Sequence, residues 1–232
     1  MANSELKLLG KWSSPYVIRV KIALRIKSLE YENLEEHETF SPKSDLLLQS
    51  NPVYAKVPVL IHHGKPICES MLIVQYIDET WSTTPSILPS DAYDRALARF
   101  WVAYIDDKWF PTIETIVTVD EEERKPYYDI LDTVLENMED AFVKCSKGKA
   151  FFGGDKIGYL DIAFGSFLGW LSAIEQEYQR KVLVESKAPA LVKWAERFVA
   201  DPAVKGIIPE TDRVVKLSRA FRIKWRAELG EK

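Results

Sequence analysis

The stretch Lys56-Val57-Pro58-Val59-Leu60 decides the fold of the first part of this chain. Residues 59–61 predict a strand, yet Pro58 lies at its start, where it removes a backbone donor and is tolerated only at a strand beginning, an edge or a bulge. A cis bond between Val57 and Pro58 would turn the N–H and C=O of Val57 outward, where they can pair with an extended peptide. The stretch therefore predicts a backbone edge that binds a peptide.

Glu69 and Ser70 follow this strand and begin a helical pattern. The apolar positions of that pattern are Met71, Leu72, Ile73, Tyr76 and Ile77. Ser70 is thus expected at a helix N-terminus, a position that suits a carboxylate because free backbone N–H groups point out of it. A pairing edge beside a carboxylate site predicts a receptor for a small anionic peptide.

The composition narrows the class of protein. A chain of 232 residues with 47% hydrophobic and 28% charged residues is typical of a globular protein of one large domain or two modest ones. A net charge of −4 gives no electrostatic case for nucleic acid or an anionic membrane as partner. No apolar run is long enough for a membrane span, and the first residues lack the pattern of a signal peptide. Cys68 and Cys145 form no CxxC motif, so we expect a reducing compartment, the cytosol.

The first eighty residues alternate short strands and helices. The predicted elements are a strand at 6–9, a helix at 14–28, a strand at 31–35, a short helix at 43–49, a hairpin of strands 57–62 and 65–68, and a helix at 69–81. Apolar residues cover more than one face of the helix at 14–28, which predicts burial on two sides. The order βαβ, α, ββα is typical of a thioredoxin-like domain.

A change in composition separates this part from the rest. Residues 82–90 are rich in Ser, Thr and Pro and predict a linker. The remainder has helical periodicity, with helices expected at 91–118, 121–145, 159–175, 189–200 and 212–229. Pro111 falls inside the first of these and should kink it. We therefore predict a thioredoxin-like α/β domain at 1–81, a linker at 82–90 and an all-α domain at 91–232.

The turn after the first strand reads Gly10-Lys11-Trp12-Ser13-Ser14-Pro15-Tyr16. Pro15 is favoured at the first helical position, and Ser14 just before it is a natural N-cap. Two interpretations are open from these residues alone. Ser14 either caps the helix and nothing more, or it also presents its hydroxyl to a ligand at the positive end of the helix.

Several motifs together resemble the plant tau-class glutathione S-transferases, over nearly the whole chain. They are Trp12-x-Ser14-Pro15-x-x-x-Arg19-Val20, Lys43-Ser44-x-Leu46-Leu47-Leu48-x-x-Asn51-Pro52-Val53, Lys56-Val57-Pro58-Val59-Leu60-Ile61, Pro66-Ile67-Cys68-Glu69-Ser70, Gln75-Tyr76-Ile77, Arg99-Phe100-Trp101-x-x-Tyr104-x-Asp106 and Phe151-Phe152-Gly153-Gly154. No single motif is specific, but the set is.

The resemblance implies the architecture of a cytosolic glutathione transferase and a glutathione site in its thioredoxin-like domain. By this resemblance, Ser14 is the catalytic serine and Lys43 pairs with the glycine carboxylate of glutathione, with Lys56 as a further contact. Val57, before the cis-proline Pro58, pairs through its backbone with the cysteinyl unit. Glu69 and Ser70 hold the ammonium and carboxylate of the γ-glutamyl unit.

The chemistry of these residues agrees with that assignment. An ordinary thiol ionises near a pKa of ~8.5, and lowering this by about two units takes roughly 2.7 kcal/mol of preference for the thiolate. A hydroxyl hydrogen bond to an anion supplies about 1.5–3 kcal/mol, and a helix N-terminus adds up to about 2 kcal/mol. Ser14 is therefore expected to act as a hydrogen-bond donor to the thiolate and not as a nucleophile.

Two departures from the family pattern bear on the site. Ser13 precedes Ser14, so either hydroxyl is within the right segment to reach the sulfur, and the Ser-Pro step favours Ser14. Tyr54-Ala55 stands where relatives carry basic residues, so one cation near the glycine carboxylate is missing. Lower affinity for glutathione is the expected consequence.

The resemblance also implies a pocket for the electrophile. Phe110 and Trp170 match pocket positions of the family, and Tyr16 and Phe221 are further candidates. For each of them, packing in the core is an equally good interpretation. Asp106 resembles a residue near the dimer interface.

Other patterns that suggest chemistry have simpler interpretations. Cys68 is expected to be a packed thiol and Asp161 a structural helix cap with Gly158 at the cap position. His62-His63 and Glu36-His37-Glu38 have no tetrahedral metal-ligand spacing, so no metal is expected.

We therefore expect a homodimeric glutathione transferase that joins the glutathione thiolate to small hydrophobic electrophiles, with peroxidase side activity. Glutathione is the co-substrate, and no permanently bound cofactor, nucleic acid or membrane partner is expected. Two alternatives are a ligandin that stores apolar metabolites with little turnover and a thiol oxidoreductase. The oxidoreductase needs a cysteine at or near position 14, where the chain has Ser14.

Overall fold

The computed structural model describes residues 5–36, 41–82 and 85–230. The chain divides into two compact units, Met1–Leu88 and Pro89–Lys232, and the division falls within the stretch 82–90 for which the sequence predicts a linker. The exact limits of that linker stay a prediction. Among the described residues, no helix is both long enough and apolar enough to cross a membrane.

The first unit is a four-stranded mixed sheet with three helices. Its elements are β1 (Leu6–Gly10), α1 (Pro15–Ile26), β2 (Glu32–Glu35), α2 (Asp45–Ser50), β3 (Val59–His62), β4 (Lys65–Cys68) and α3 (Ser70–Thr80). The strand order is β2-β1-β3-β4, with β1 parallel to β2 and antiparallel to β3, and with β3 antiparallel to β4. This confirms the predicted thioredoxin-like order, including the hairpin.

Local sequence accounts for these elements. The hairpin turn places His63 at φ 49° and Gly64 at φ 75°, and two successive residues with positive φ are the geometry that a two-residue hairpin prefers. In α1 the buried residues lie on more than one face, as the apolar pattern predicts, and Arg19 is buried among them. They are Pro15, Val17, Ile18, Arg19, Val20, Ile22, Ala23 and Leu24.

A buried ion pair ties three segments of the first unit together. Lys27, the C-cap of α1, places its Nζ 2.7 Å from a carboxylate oxygen of Asp78 on α3, and both side chains are almost fully buried. The same carboxylate accepts the backbone N–H groups of Ile87 and Leu88 at 2.9 Å each. Asp78 thus anchors the last residues of the first unit against its two long helices.

In the residues that the structure describes, the second unit consists of helices joined by turns and loops, and its β-structure is one isolated bridge between Phe151 and Gly154. Its α-helices are α4 (Ala92–Tyr104), α5 (Phe110–Thr118), α6 (Lys125–Ser146), α7 (Tyr159–Gly165), α8 (Leu168–Tyr178), α9 (Pro189–Ala200) and α10 (Thr211–Gly230). A short 3-10 turn, Glu121–Glu123, precedes α6. The all-α prediction for this part is confirmed.

The predicted break near Pro111 takes the form of a π-helical segment. Residues Ile105–Trp109 form wider π-type turns between α4 and α5, directly before the residue pair Phe110-Pro111 that begins α5. Proline has no N–H to continue an α-helical ladder, and a π-bulge is one of the few structures that absorb such a break. The wider turn buries Trp109 against Phe164, with ring centroids 5.1 Å apart.

The sequence predicts one helix over residues 159–175, and this is wrong. The structure has two helices, α7 and α8, separated at Ser166 and Phe167. Ser166 is fully buried and donates its hydroxyl to the carbonyl of Ala163, three residues earlier. Such a bond competes with the helical ladder and accompanies the break, and the apolar pattern continues across it without a signal.

Candidate active site

Four segments of the first unit meet at one edge of its sheet. In the registers, Gly10 at the end of β1 pairs with Glu35 at the end of β2, Leu9 pairs with Val59 at the start of β3, and Val59 pairs with Cys68 at the end of β4. The residues that follow β1, β2 and β4 therefore lie at the same edge as those that precede β3. These are the segments in which the sequence predicts the glutathione contacts.

Ser14 lies in the segment after β1 and caps α1. Its φ and ψ are −76° and 118°, and its Oγ accepts the backbone N–H of Val17 at 3.4 Å. The side chain is half-buried, whereas Ser13 is only 7% exposed. Because the Ser14 oxygen is the acceptor in its capping bond, the hydroxyl proton is available to donate to a ligand.

The segment before β3 contains Val57 and Pro58, whose peptide bond is cis, as the sequence suggests. The ladder between β3 and β4 begins at Val59, so it does not extend to the backbone of Val57. Asn51, only 4% exposed, shapes this segment by donating its amide to the carbonyl of Lys56 at 2.9 Å. The Lys56 side chain is exposed.

The segment after β4 has an uncommon backbone. Glu69 is exposed and has φ 69°, a region that few residues other than glycine adopt, and such strain occurs most often at functional sites. Ser70 follows as the first residue of α3 and is 7% exposed. Its Oγ accepts a hydrogen bond from Nη1 of Arg19 at 3.2 Å. This bond connects α1 directly to the start of α3.

Lys43 lies two residues before α2 and is exposed. The next residue, Ser44, caps α2 and is held by Glu36, whose carboxylate accepts the Ser44 backbone N–H at 2.8 Å and its hydroxyl at 2.6 Å. The pKa of Lys11 is lowered, mainly because its side chain is partly buried. The carboxylates of Glu36 and Glu35 oppose this shift, and the positive charge of Lys43 adds to it. Lys11 and Lys43 therefore bring two cations to one region of the site.

Three of the four predicted electrophile-pocket residues come together in the second unit. Phe110, Trp170 and Phe221 line one cavity of about 460 Å³. The ring centroids of Phe110 and Trp170 are 6.4 Å apart, and those of Trp170 and Phe221 are 6.2 Å apart. The rest of the wall consists of Pro111, Ile113, Glu114, Thr115, Val117 and Thr118. The cavity is therefore aromatic and apolar, with one carboxylate and two hydroxyl groups in its described wall.

Tyr16, the fourth predicted pocket residue, belongs to the first unit and to another environment. Its ring lies beneath the Arg19 guanidinium, whose carbon is 5.0 Å from the ring centroid. This is a cation–π contact within α1. Asp106 lies within the π-helical segment of the second unit and is half-buried.

The remaining titratable residues named from the sequence make structural contacts. Burial raises the pKa of the Cys68 thiol, and its Sγ lies 3.6 Å from the carbonyl oxygen of Ser50. His62 shares a hydrogen bond of 2.7 Å with the Tyr76 hydroxyl. His37 and Glu38 lie outside the described residues. Within the part of the chain that the structure describes, no group of three or more His, Cys, Asp or Glu residues has a geometry that suits a metal.

The sequence predicted no role for two cations of this site, Arg19 and Lys11. Arg19 belongs to the motif that begins at Trp12, but its contact with Ser70 joins two segments that are distant in the chain. Such a contact leaves no local signal in the sequence. Lys11 stood in the turn after β1, and its closeness to Lys43 depends on the pairing of β1 with β2. Both are cations, which single-sequence patterns ordinarily assign to solvent.

Comparison with known proteins agrees with this arrangement. The family model for the N-terminal domain of glutathione S-transferases matches residues 4–79, and the model for the C-terminal domain matches residues 93–202. Glutathione S-transferases U18 and U17 of Arabidopsis thaliana are each 54% identical over 221 residues, which cover 94% of this chain and 96% of each relative.

Solved structures give the same result. The tau-class glutathione S-transferase of mango, Mangifera indica, is 58% identical with a TM-score of 0.89, over 94% of this chain and 99% of that one. A rice glutathione S-transferase solved in complex with glutathione is 35% identical with a TM-score of 0.85, over 94% of this chain and 98% of that one. The chain therefore belongs to the glutathione S-transferase family of enzymes, in its tau class.

Proposed function

We propose that this chain binds glutathione in its first unit and joins the glutathione thiolate to small hydrophobic electrophiles. The observation that carries the proposal is Ser14, a half-buried hydroxyl at the N-terminus of α1. It lies at the same sheet edge as the cis bond at Val57 and the helix start at Ser70. These features supply a hydrogen-bond donor for the thiolate, a backbone segment that can pair with a peptide, and an anion site in one place.

Each polar group of glutathione has a partner in this proposal. Val57, held by the cis bond to Pro58, pairs through its backbone with the cysteinyl unit. The two cations Lys43 and Lys56 attract the glycine carboxylate, and Lys11 adds positive charge near Lys43.

The γ-glutamyl unit carries an ammonium and a carboxylate, and the segment after β4 offers one partner for each. The exposed Glu69 carboxylate attracts the ammonium. The hydroxyl and backbone N–H of Ser70 at the start of α3 receive the carboxylate, where the helix dipole also favours negative charge.

Ser14 acts on the sulfur as a hydrogen-bond donor. Its hydroxyl and the N-terminus of α1 both favour the thiolate over the thiol, and together they supply enough free energy to ionise it near neutral pH. The thiolate sulfur then forms a bond to an electrophilic carbon. A substitution is completed when the leaving group departs with its electron pair, and an addition is completed when the adjacent carbanion takes a proton from solvent. No general base is needed because the proton leaves the thiol before the attack.

The aromatic cavity of the second unit is the proposed electrophile pocket. Phe110, Trp170 and Phe221 offer ring faces to a flat apolar substrate, and such contacts depend little on its substitution pattern. Tyr16, beneath Arg19, is a further proposed contact. We also propose that the pocket admits organic hydroperoxides with an apolar body, and that two glutathione molecules reduce the hydroperoxide to an alcohol and water as they form glutathione disulfide.

We also propose that the protein is a cytosolic homodimer. Large apolar side chains are exposed on the first unit, with Val53 at 80% and Leu72 at 57%, and on α4 of the second, with Tyr93 at 70% and Phe100 at 59%. Burial of these side chains against a second copy would remove apolar surface from water. Asp106 is proposed to lie near that interface. Light scattering coupled to size-exclusion chromatography measures the mass directly.

The test of the catalytic proposal is Ser14→Ala. Removal of one anion-stabilising donor should lower the rate of conjugation with a chlorinated nitroarene about ten- to a thousandfold, while glutathione still binds. Ser13→Ala is the matched control and should keep wild-type turnover because Ser14, and not Ser13, is the residue that caps α1. Wild-type turnover in Ser14→Ala would refute the assignment. A wild-type protein that binds apolar ligands but converts no electrophile or hydroperoxide in a broad panel would be a ligandin.

A further inference from the structure

Glu177 carries a buried carboxylate near the end of α8, the helix that contributes Trp170 to the wall of the aromatic cavity. Its side chain is only 5% exposed, and its Oε1 lies 3.3 Å from Nε of Arg219 and 3.1 Å from Nη2 of Arg222. Its Oε2 is buried and has no hydrogen-bond partner among the described residues. Both arginines belong to α10, so this carboxylate depends on α10 for its positive charge.

Burial gives these two contacts their importance. A carboxylate that is removed from water is stable when cations and hydrogen-bond donors replace the water. The guanidinium groups of Arg219 and Arg222 meet at one oxygen of Glu177, and their side chains are less buried than the carboxylate. If α10 moved away from α8, the carboxylate of Glu177 would lose both cations. We therefore expect this ion-pair cluster to hold α10 against α8.

The next residue in the chain, Tyr178, connects a third helix to the same cluster. Its hydroxyl accepts a hydrogen bond from Nη1 of Arg222 at 3.4 Å, and its ring lies 4.0 Å from the guanidinium carbon of Arg124. Arg124 in turn donates to the carbonyls of Ile116 and Val119 at the end of α5. The cluster thus joins α5, α8 and α10, which are the three helices whose described residues line the cavity.

Two separate contacts between α8 and α10 determine where Phe221 lies. Trp170 and Glu177 are seven residues apart on α8, so they share one face of that helix, about two turns from each other. Trp170 contacts α10 through the ring of Phe221, with centroids 6.2 Å apart. Glu177 contacts α10 through Arg222, the residue next to Phe221, and through Arg219. Together the two contacts fix the rotation of α10 about its axis, and this rotation decides whether the Phe221 ring faces the cavity.

We propose that Glu177 is a positioning residue that holds Phe221 in the wall of the electrophile pocket and thereby selects flat aromatic electrophiles over small aliphatic ones. This inference rests on the proposed function of that cavity. An aromatic substrate gains a ring contact with Phe221, whereas a short aliphatic chain has no ring to pair with it. Glu177 is not among the described residues of the cavity wall and takes no part in the chemical step.

The experiment measures Glu177→Gln, which keeps the size of the side chain and removes its charge. The KM for chlorodinitrobenzene and the Kd for dinitrobenzene, the same ring without its leaving group, should rise about three- to tenfold, the range expected for the loss of one aromatic contact. The kcat for chlorodinitrobenzene and the Kd for glutathione should change less than about twofold, because only binding of the ring is affected. The KM for crotonaldehyde, a small aliphatic electrophile, should stay within about twofold of wild type.

Two further comparisons separate positioning from packing. Phe221→Ala should itself weaken the binding of dinitrobenzene, and Glu177→Gln should add little to that loss in the double variant, because Glu177 acts through the Phe221 ring. Glu175→Gln is the matched control on the same helix. Glu175 is also buried, but it binds the loop after α8 through Lys181 and the backbone N–H of Val182, and this loop contributes no described residue to the cavity wall. This control should leave the preference for the aromatic electrophile unchanged.

Equal losses for chlorodinitrobenzene and crotonaldehyde would overturn the proposal, since a general loosening of the second unit does not distinguish a ring from a chain. A loss in Glu175→Gln as large as that in Glu177→Gln, or additive losses in the double variant, would also overturn it. If Glu177→Gln does not fold, Arg219→Met and Arg222→Met remove the partners one at a time and decide the question by the same ratio. A wild-type protein that binds dinitrobenzene but converts no electrophile would refute the proposed function, while the Kd values for dinitrobenzene in these variants still test Glu177.

Discussion

Asp78 in the first unit and Asp161 in the second are both buried carboxylates that hold a loop against a helix, but they are neutralised in different ways. Asp78 has a full positive charge beside it, the Nζ of Lys27 at 2.7 Å, and accepts two backbone N–H groups from Ile87 and Leu88. The cation and the carboxylate come from the ends of two different helices. This carboxylate is stabilised mainly by its ion pair.

Asp161 is completely buried, and its described partners are four N–H dipoles. It accepts the backbone N–H groups of Phe152, Gly153 and Gly158 and the indole Nε1–H of Trp194, at 2.8 to 2.9 Å. Burial raises its pKa to about 6, since the hydrogen bonds, which lower it, offset only part of the desolvation. The comparison shows that four N–H dipoles can hold a buried carboxylate in place while its pKa stays well above that of a free carboxyl group.

Removal of the Asp161 carboxylate should have the largest effect. Asp161→Ala leaves four donors without their acceptor, and each orphaned donor costs about 1–3 kcal/mol where water cannot reach it. We expect the free energy of unfolding to fall by about 5 kcal/mol, which is in the range of severe substitutions. Urea titration followed by tryptophan fluorescence, at one fixed protein concentration, measures this change.

The control for this variant is Asp155→Ala. Asp155 forms an exposed ion pair with Lys149, and its side chain is 75% exposed. Such pairs contribute less than about 1 kcal/mol. If Asp161→Ala lowered the free energy of unfolding no more than Asp155→Ala, the four hydrogen bonds of Asp161 would not be important for stability.

Loss of the cation beside Asp78 should have a smaller effect. Lys27→Met removes one partner of a buried ion pair, which typically costs about 3–5 kcal/mol. The two backbone donors to Asp78 remain, so we expect a loss of about 3 kcal/mol in the same unfolding experiment. Lys7→Met is the matched control, because Lys7 pairs with Glu32 at 2.9 Å in a partly exposed position on the strands. Equal losses in the two lysine variants would contradict the comparison.

The two carboxylates also show that local patterns could be predicted from the sequence, whereas partners distant in the chain could not. Gly158-x-x-Asp161 is a local pattern, and it predicted a structural capping role for Asp161. Trp194 as a fourth donor was not predicted, because α9 is distant in sequence. The pair of Lys27 and Asp78 was missed altogether, since a lysine at a helix end is normally in solvent and nothing local reveals its partner.

In the candidate site, too, the features that depend on neighbouring residues were predicted and the contacts between distant segments were not. The cap at Ser14, the cis bond before Pro58 and the helix start at Ser70 follow from neighbouring residues, and the sequence predicted all three. The contact of Arg19 with Ser70 was not predicted because it forms only when α1 and α3 pack together. In the second unit the resemblance supplied Phe110, Trp170 and Phe221, whereas apolar periodicity alone did not separate a cavity wall from the core.

The smallest expected effect is a pH dependence that only Asp161 should produce. A carboxyl has a pKa of about 3.9 in an unfolded chain, whereas that of Asp161 in the folded protein is about 6. Between these values the folded state binds more protons, so the contribution of Asp161 to stability is full below pH ~4 and is lost as pH rises through about 6. From pH 5 to pH 7 this loss amounts to about 1 kcal/mol.

Asp161→Asn isolates this contribution because asparagine has no proton to lose in that range. The free energy of unfolding, measured in urea at pH 5, 6 and 7, should show the wild type losing about 1 kcal/mol of its advantage over Asp161→Asn as pH rises. Asp155→Asn should keep the pH dependence of the wild type, since its carboxylate is exposed. An advantage over Asp161→Asn that stayed constant or grew with pH would mean that the four N–H groups outweigh burial and hold the Asp161 carboxylate fully ionised, as securely as a cation would.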